Sequence, residues 1–267
     1  MSKKSSICDP KTIVLFDVDG TLTLPRQRIT PVMEQFMTRL REHVAIGLVG
    51  GSDINKIAEQ TNSDSSIVGD KAIEECNHRY DYVFAENGLV AYKGERLLAR
   101  HSIQEYLGEE RLQKFINFCL GYMSKLWLPA KRGNFIEFRN GLINVSPVGR
   151  SCSQLERDEF HRYDNEHHVR EKLIKALNEN FSGDQSLGLT YSIGGQISID
   201  AFPHGWDKTF CLRYLESDFS KIYFFGDKTF PGGNDHEIFK DARTTGYSVE
   251  SPEHTRELVS KILLLND

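Results

Sequence analysis

Short apolar runs broken by acidic or glycine-rich turns mark both ends of the chain. Thr12 to Phe16 reads TIVLF and stops at Asp17, Asp19 and Gly20. An unbroken apolar run of this kind is expected of a strand buried on both faces of a parallel sheet. Thr30 then offers a helix cap, Pro31 suits a first helical turn, and Val32, Phe36 and Leu40 recur at i, i+4 and i+8. Val44 to Val49, closed by Gly50-Gly51, predicts a second buried strand, so the opening reads as a βαβ unit. Tyr82 to Phe84 predicts a third. The pattern returns late in the chain. Ile222 to Phe225 ends in Gly226-Asp227, and Tyr247 to Val249 precedes a helix opened by Ser251-Pro252 and carrying Leu258, Ile262 and Leu265.

The middle has a different period. Leu89 to Leu98 predicts a hairpin, and Gln104 to Lys125 a long amphipathic helix with Leu112, Phe115, Ile116, Cys119 and Tyr122 on its apolar side. Phe135 to Val145 predicts a hairpin around Asn140-Gly141, a strong two-residue turn signal. Ser153 and Glu156 have capping-box spacing, and Tyr191 to Phe202 alternates like a strand. The polar stretch 62–79 suggests a surface loop and helix. The expected class is α/β: a Rossmann-like parallel-sheet core, residues 1–95 and 204–267, split by an inserted α+β domain with an antiparallel sheet, residues 96–203. A length of 267 residues suits such a two-part fold.

Composition narrows the class of partner. The net charge of -5 argues against nucleic acid or an anionic membrane. No apolar run approaches the length of a membrane span, and MSKKSSICDPKT lacks the apolar stretch of a signal peptide. Cys8, Cys76, Cys119, Cys152 and Cys211 are odd in number and none form a CxxC pair. Reduced thiols in a cytoplasmic protein are expected.

The candidate chemistry sits at strand ends. Asp17 and Asp19 flank Val18 on the turn after the first strand, where open α/β sheets bind ligands. One carboxylate can attack or ligate a metal while the other moves a proton. An EF-hand reading fails, since its positions 6 and 12 from Asp17 hold Leu22 and Arg28 rather than Gly and Glu. Asp227, on a second such turn, can complete an oxygen-rich magnesium site with Asp17. Ser52 after the second strand can donate to a phosphate oxygen, or cap a helix. Lys208 could be catalytic or merely solubilising. Arg139, Arg150 and Arg157 lie in the inserted stretch; planar guanidinium forks suit phosphate, and the plain alternative is solvated or ion-paired arginines. Asp200 ends an alternating strand and could accept ligand hydroxyls or equally be an ordinary strand-end residue. A zinc site at His161, His167 and His168 is rejected, because no cysteine or carboxylate stands beside them at zinc-site spacing.

These pieces, in order, resemble the haloacid dehalogenase superfamily. More closely, DVDGTLT at 17–23, VGGSD at 49–53, FIEFRNG at 135–141, NVSPVGRSCSQ at 144–154, SIGGQISID at 192–200 and FGDKTFPGGNDHEIF at 225–239 resemble the eukaryotic phosphomannomutase family. The stretch 62–79 departs from that pattern by its length. The resemblance implies a haloacid-dehalogenase-like core with an inserted cap. It implies Asp17 as nucleophile and Asp19 as general acid/base, with Ser52 and Lys208 beside them. Mg2+ would be held by Asp17, the Asp19 carbonyl and Asp227. A second metal position would fall on the Phe239 carbonyl, Asp241 and Thr244. Sugar-phosphate contacts would fall on Arg26, Arg139, Arg150, Arg157, Ser198 and Asp200.

The activity so implied interconverts mannose 6-phosphate and mannose 1-phosphate through an aspartyl phosphate and a hexose 1,6-bisphosphate, which also serves as activator. The product would feed GDP-mannose synthesis. The family also implies a homodimer through the cap, and cap closure against water. A sugar-phosphate phosphatase on the same core is the alternative enzyme. A non-catalytic metabolite-binding protein is the alternative of another class.

Overall fold

The computed structural model describes residues 10–263; Cys8 and Leu265 lie outside them. In chain order the elements begin β1 (Thr12–Phe16), α1 (Pro31–Arg41), β2 (Ala45–Val49), α2 (Ile54–Gln60), α3 (Gly69–Arg79), β3 (Tyr82–Ala85), β4 (Val90–Lys93) and β5 (Arg96–Arg100). There follow α4 (Ile103–Ser124), β6 (Ile136–Phe138), β7 (Ile143–Val145), α5 (Gln154–His167), α6 (Val169–Asn180), β8 (Leu189–Gly194) and β9 (Ser198–Pro203). The chain then returns through a 3-10 helix (Lys208–Tyr214), β10 (Lys221–Gly226), α7 (His236–Lys240), β11 (Thr244–Ser248) and α8 (Pro252–Ile262). Two compact units result, one from the segments up to Arg100 and from Gly205 onward, the other from His101–His204.

The first unit carries a seven-stranded sheet in the order β11-β10-β1-β2-β3-β4-β5, parallel from β11 to β3 and antiparallel beyond. Alternate side chains of each strand feed opposite layers. Val14, Phe16, Ile46 and Leu48 join α1 and α2 residues on one face. Ile13, Leu15, Val49 and Phe84 meet Cys211, Leu212 and Ile238 on the other. Both faces of β1 are therefore dry, which is why TIVLF carries no polar alternation; each such side chain contributes roughly 1.5–3 kcal/mol by burial. Register places Phe16 beside both Phe225 and Leu48, so the turns after β1, β10 and β2 leave the sheet at one edge.

In this unit two local readings change. The buried stripe of α1 is Met33, Phe36, Met37 and Leu40, while Val32 is 56% exposed. Steps of four residues drift by roughly 40° in a helix of 3.6 residues per turn, which carries Val32 off the stripe. The stretch 62–79 contains α3, which buries Ala72, Cys76 and Asn77. As expected, this stretch is a mostly exposed loop followed by a helix; its Arg79 pairs with Glu34 of α1 and Glu75, so the segment also serves as part of the β2-to-β3 crossover. The hairpin begun at Leu89 continues through β5 to Arg100, five residues past the expected core boundary at 95.

The inserted unit has a four-stranded antiparallel sheet, β6-β7-β9-β8. Its long helix α4 is interrupted at Gly108, whose φ of 71° and ψ of 158° no helix accepts, so the expected continuous helix is two pieces. The β6–β7 connection turns at Asn140-Gly141 as expected, with Phe138 paired to Ile143 and Arg139 facing Leu142. Arg139 N–H donates to Leu142 O at 3.0 Å, and the Asn140 side chain donates to His101 O. The Ser153–Glu156 capping box opens α5.

Candidate active site

Asp17 and Asp227 leave β1 and β10, and Lys208 opens the 3-10 helix capped by Asp207. Asp17 is 4% exposed, Lys208 1% and Asp235 0%. Lys208 Nζ donates to Asp17 and, at 2.5 Å, to Asp235. Asp235 Oδ2 also accepts the Lys228 N–H at 3.0 Å, which ties the whole 227–235 loop back to this lysine. Burial pushes the Asp17 carboxyl up to about 6; Lys208 partly offsets this, and the Asp235 and Asp227 charges add to it. Burial also raises Asp227, with Asp235 contributing. Burial alone would depress Lys208, but the two carboxylates facing it outweigh that and hold its pKa above the usual lysine range.

Asp17, Asp227 and Asp235 each offer an oxygen within 4.8 Å of the others. Asp227 Oδ1 is buried with no hydrogen-bond partner. An orphaned carboxylate oxygen among converging acids fits a hard divalent cation, which prefers such ligands. Gly20 makes room: at its φ of 84°, a Cβ would stand 2.4 Å from Asp227 Oδ2. Among the described residues this is the one cluster of three or more His, Cys, Asp or Glu side chains close enough to share an ion; the histidines of α5 form none.

Asp19 faces a pocket lined by Asp17, Gly50, Ser52, Gln60 and Lys228. Its Oδ1 accepts the Arg26 backbone N–H and Gln60 Nε2, both at 2.7 Å, and Lys56 Nζ lies 3.6 Å from Oδ2. Partial burial opposes ionisation, but these donors and cations together hold the Asp19 carboxyl below its ordinary value. The α2 cap is Asp53, which accepts from Lys56 N–H; Ser52 Oγ is left to the pocket, within 3.1 Å of Lys56 Nζ.

In the inserted unit, Arg139 and Arg150 converge on one oxygen of Glu137, with Arg139 Nη2 at 2.6 Å and Arg150 Nε at 2.8 Å. Arg157 donates to Arg150 O at 3.2 Å. Asn144 joins Arg150 to Ser198 and Asp200. Five of the six expected sugar-phosphate residues thus form one hydrogen-bonded group in the inserted unit, drawn from the sheet, α5 and the connecting loops, and the Arg26 N–H meets Asp19.

A model of the eukaryotic phosphomannomutase family matches residues 33–265. The chain belongs to the eukaryotic phosphomannomutase family. It is 55% identical over 256 residues to a phosphomannomutase of Triticum aestivum, across 96% of this chain and 97% of the relative. It is 55% identical to phosphomannomutase 1 of Dictyostelium discoideum, across 95% and 97%. Among solved structures, it superposes on the sucrose-phosphatase of Synechocystis sp. PCC6803 with a TM-score of 0.54 at 14% identity, covering 94% of this chain and 97% of that one. A trehalose-6-phosphate phosphatase related protein gives 0.53 at 13%, covering 95% and 97%. Those likenesses are of the haloacid-dehalogenase-like fold. The chain is accordingly an enzyme of the phosphomannomutase class.

The residues expected for a second metal lie in the last turn of α7 (Phe239), just after it (Asp241) and at the start of β11 (Thr244). There the Asp241 carboxylate is held by Arg243, at 2.8 Å and 2.6 Å, and Thr244 Oγ1 donates to Ile238 O and Asp241 O. Phe239 O lies against Gly246. The carboxylate and hydroxyl of this group are already engaged by the protein.

Sequence reasoning passed over several polar residues of these clusters. Asp235 lies inside FGDKTFPGGNDHEIF, eight residues after Asp227 on the same loop, and that spacing is the available signal. Gln60, Lys56, Glu137 and Asn144 gave none, since their partners lie on other elements.

Proposed function

We propose that the enzyme interconverts mannose 6-phosphate and mannose 1-phosphate through an aspartyl phosphate on Asp17 and a hexose 1,6-bisphosphate, and so provides mannose 1-phosphate for GDP-mannose synthesis. The observation that carries this is the pairing of buried Asp17 with Lys208, beside a carboxylate cluster holding an unpartnered oxygen. Asp17 Oδ attacks phosphorus in line and the phosphorus–sugar oxygen bond breaks. Asp19, held ionised by its donors, takes the proton of the hydroxyl that recovers the phosphoryl group and returns it to the leaving sugar oxygen in the paired transfer. Lys208 and Ser52 neutralise and orient the transferred group. Mg2+, when held by Asp17, Asp227 and the Asp19 carbonyl, supplies charge neutralisation between carboxylate and phosphate.

A bisphosphate has two phosphates to place. Arg139, Arg150 and Arg157 give the inserted unit an anion clamp of its own, with Ser198 and Asp200 for hydroxyls and Arg26 on the core. Such a clamp suits an intermediate that binds in either orientation, whereas simple hydrolysis requires only the Asp17 site. Exposed Leu120, Trp127 and Leu155 on the inserted unit support a homodimer through it. The unpaired, buried Cys76, Cys119, Cys152 and Cys211 suit a reducing cytoplasm.

The test is product analysis with mannose 1-phosphate, Mg2+ and a bisphosphate activator. Mannose 6-phosphate should accumulate. Rapid release of inorganic phosphate with no 6-phosphate would replace the mutase by a sugar-phosphate phosphatase.

A further inference from the structure

Asn144 lies at the centre of the inserted sheet. β7 runs between β6 and β9, with Asn144 opposite Glu137 on one side and Asp200 on the other. Three polar side chains thus form a row across one face, while Ile143 and Val145 are fully buried on the opposite face. Asn144 itself is 3% exposed.

A buried amide is costly unless its groups are paired. Here they are. Nδ2 donates to Ser198 Oγ at 2.9 Å and to Asp200 Oδ1 at 2.6 Å. Oδ1 accepts Arg150 Nη1 at 2.9 Å. The amide has one workable orientation, because a flip would aim its N–H groups at a guanidinium and its oxygen at a carboxylate. Ser198 passes the bond on to Gly194 O, and Arg150 is braced on its far side by Glu137. One side chain therefore fixes an anion-binding arginine relative to two hydroxyl-binding oxygens.

We propose that Asn144 is a positioning residue for the hexose phosphate, setting the spacing between the arginine clamp and the sugar-hydroxyl acceptors Ser198 and Asp200. This rests on the functional reading above, and it assigns Asn144 the task of matching the clamp to a particular hexose. Loss of the amide frees Arg150 and Asp200 independently, so binding and sugar discrimination weaken together.

The experiment compares Asn144→Ala with wild type on mannose 1-phosphate and glucose 1-phosphate, with Arg150→Ala as a separate arm. Asn144→Ala should raise KM about tenfold or more, the scale of one lost polar contact, with a much smaller change in kcat. The ratio of kcat/KM for the two sugars should move toward one. An unchanged KM and ratio overturn the proposal. So does a fall in kcat that merely follows the folded fraction at constant KM. If Asn144→Ala does not fold, Asn144→Ser, which keeps a donor and an acceptor, is judged by the same two numbers. An Arg150→Ala enzyme with wild-type KM would instead remove the clamp reading itself.

Discussion

Lys208 meets Asp17 in a place neither shares with solvent: both side chains are buried, and Asp235 closes the lysine's other side. The pair brings an otherwise costly carboxylate to the end of β1 and leaves one net negative charge among the three groups.

Removing that lysine should be severe. Lys208→Ala leaves two buried carboxylates unpaired, and breaking a buried ion pair typically costs about 3–5 kcal/mol. Urea denaturation at pH 7.5 should show a loss of that order, with activity abolished. Asp17, already raised to about 6, would rise further without the ammonium, so lowering the pH should protonate it and restore part of the stability. A variant as stable as wild type at pH 7.5 would mean the pair is not buried as described.

Much of the core was legible because its physics is local. A strand dry on both faces must be apolar throughout, and TIVLF and the run before Gly226 announce themselves. Acids at the ends of such strands stand out for the same reason, so Asp17 and Asp227 could be read as a site. What failed depended on angles or partners. Val32 matched a spacing but not the helical stripe, and Gly108 breaks a helix whose composition looks continuous. Asn144 and Glu137 owe their neighbours to strand register, and Gln60 reaches Asp19 across 41 residues of chain.

Gly20→Ala should disable the enzyme through geometry alone. At a φ of 84° an alanine costs about 1–3 kcal/mol in backbone strain, and its Cβ would stand 2.4 Å from Asp227 Oδ2. Asp227 must then move away from Asp17. Mg2+ affinity, read by calorimetry, should fall more than tenfold while circular dichroism remains that of the wild type. Unaltered affinity would show that Asp227 is not held by this close approach.

Acid should weaken Mg2+ binding. A cation needs the Asp17 carboxylate ionised, and in the metal-free protein that group titrates at about 6. Below that pH affinity should fall by about tenfold per unit as a proton competes, and binding near pH 6 should release protons, seen as buffer-dependent heats. Stability follows the same sign. A carboxyl raised above its unfolded value of 3.8 contributes stability that is complete below that value and lost as pH rises through about 6. For this group, metal-free protein should therefore lose stability between pH 4 and 7, and added Mg2+ should recover it at pH 7. A pH-independent affinity between 5 and 7 would contradict the placement of the ion on Asp17.

Asp17→Asn tests the nucleophile directly. The amide is nearly isosteric, so fold and secondary structure should persist, while turnover should vanish and no phosphoryl label should be trapped on the protein. Measurable label at another side chain would move the chemistry elsewhere.

Arg150→Ala separates binding from architecture in the inserted unit. The Arg150 side chain is 27% exposed, so its pair with Glu137 is worth about 1 kcal/mol or less, and the buried Asn144 Oδ1 left without its donor adds about 1–3 kcal/mol. The same fork facing a phosphate makes charge-assisted bonds of roughly twice the ordinary strength. KM for mannose 1-phosphate should thus rise by more than tenfold while the thermal midpoint moves by several degrees. Glu137→Gln is the counterpart. It removes the carboxylate on which Arg139 and Arg150 converge, so a phosphate no longer competes with an internal anion, and inhibition by inorganic sulfate should tighten. Equal losses of midpoint and of binding in Arg150→Ala, with Glu137→Gln indifferent to sulfate, would mark this cluster as scaffolding.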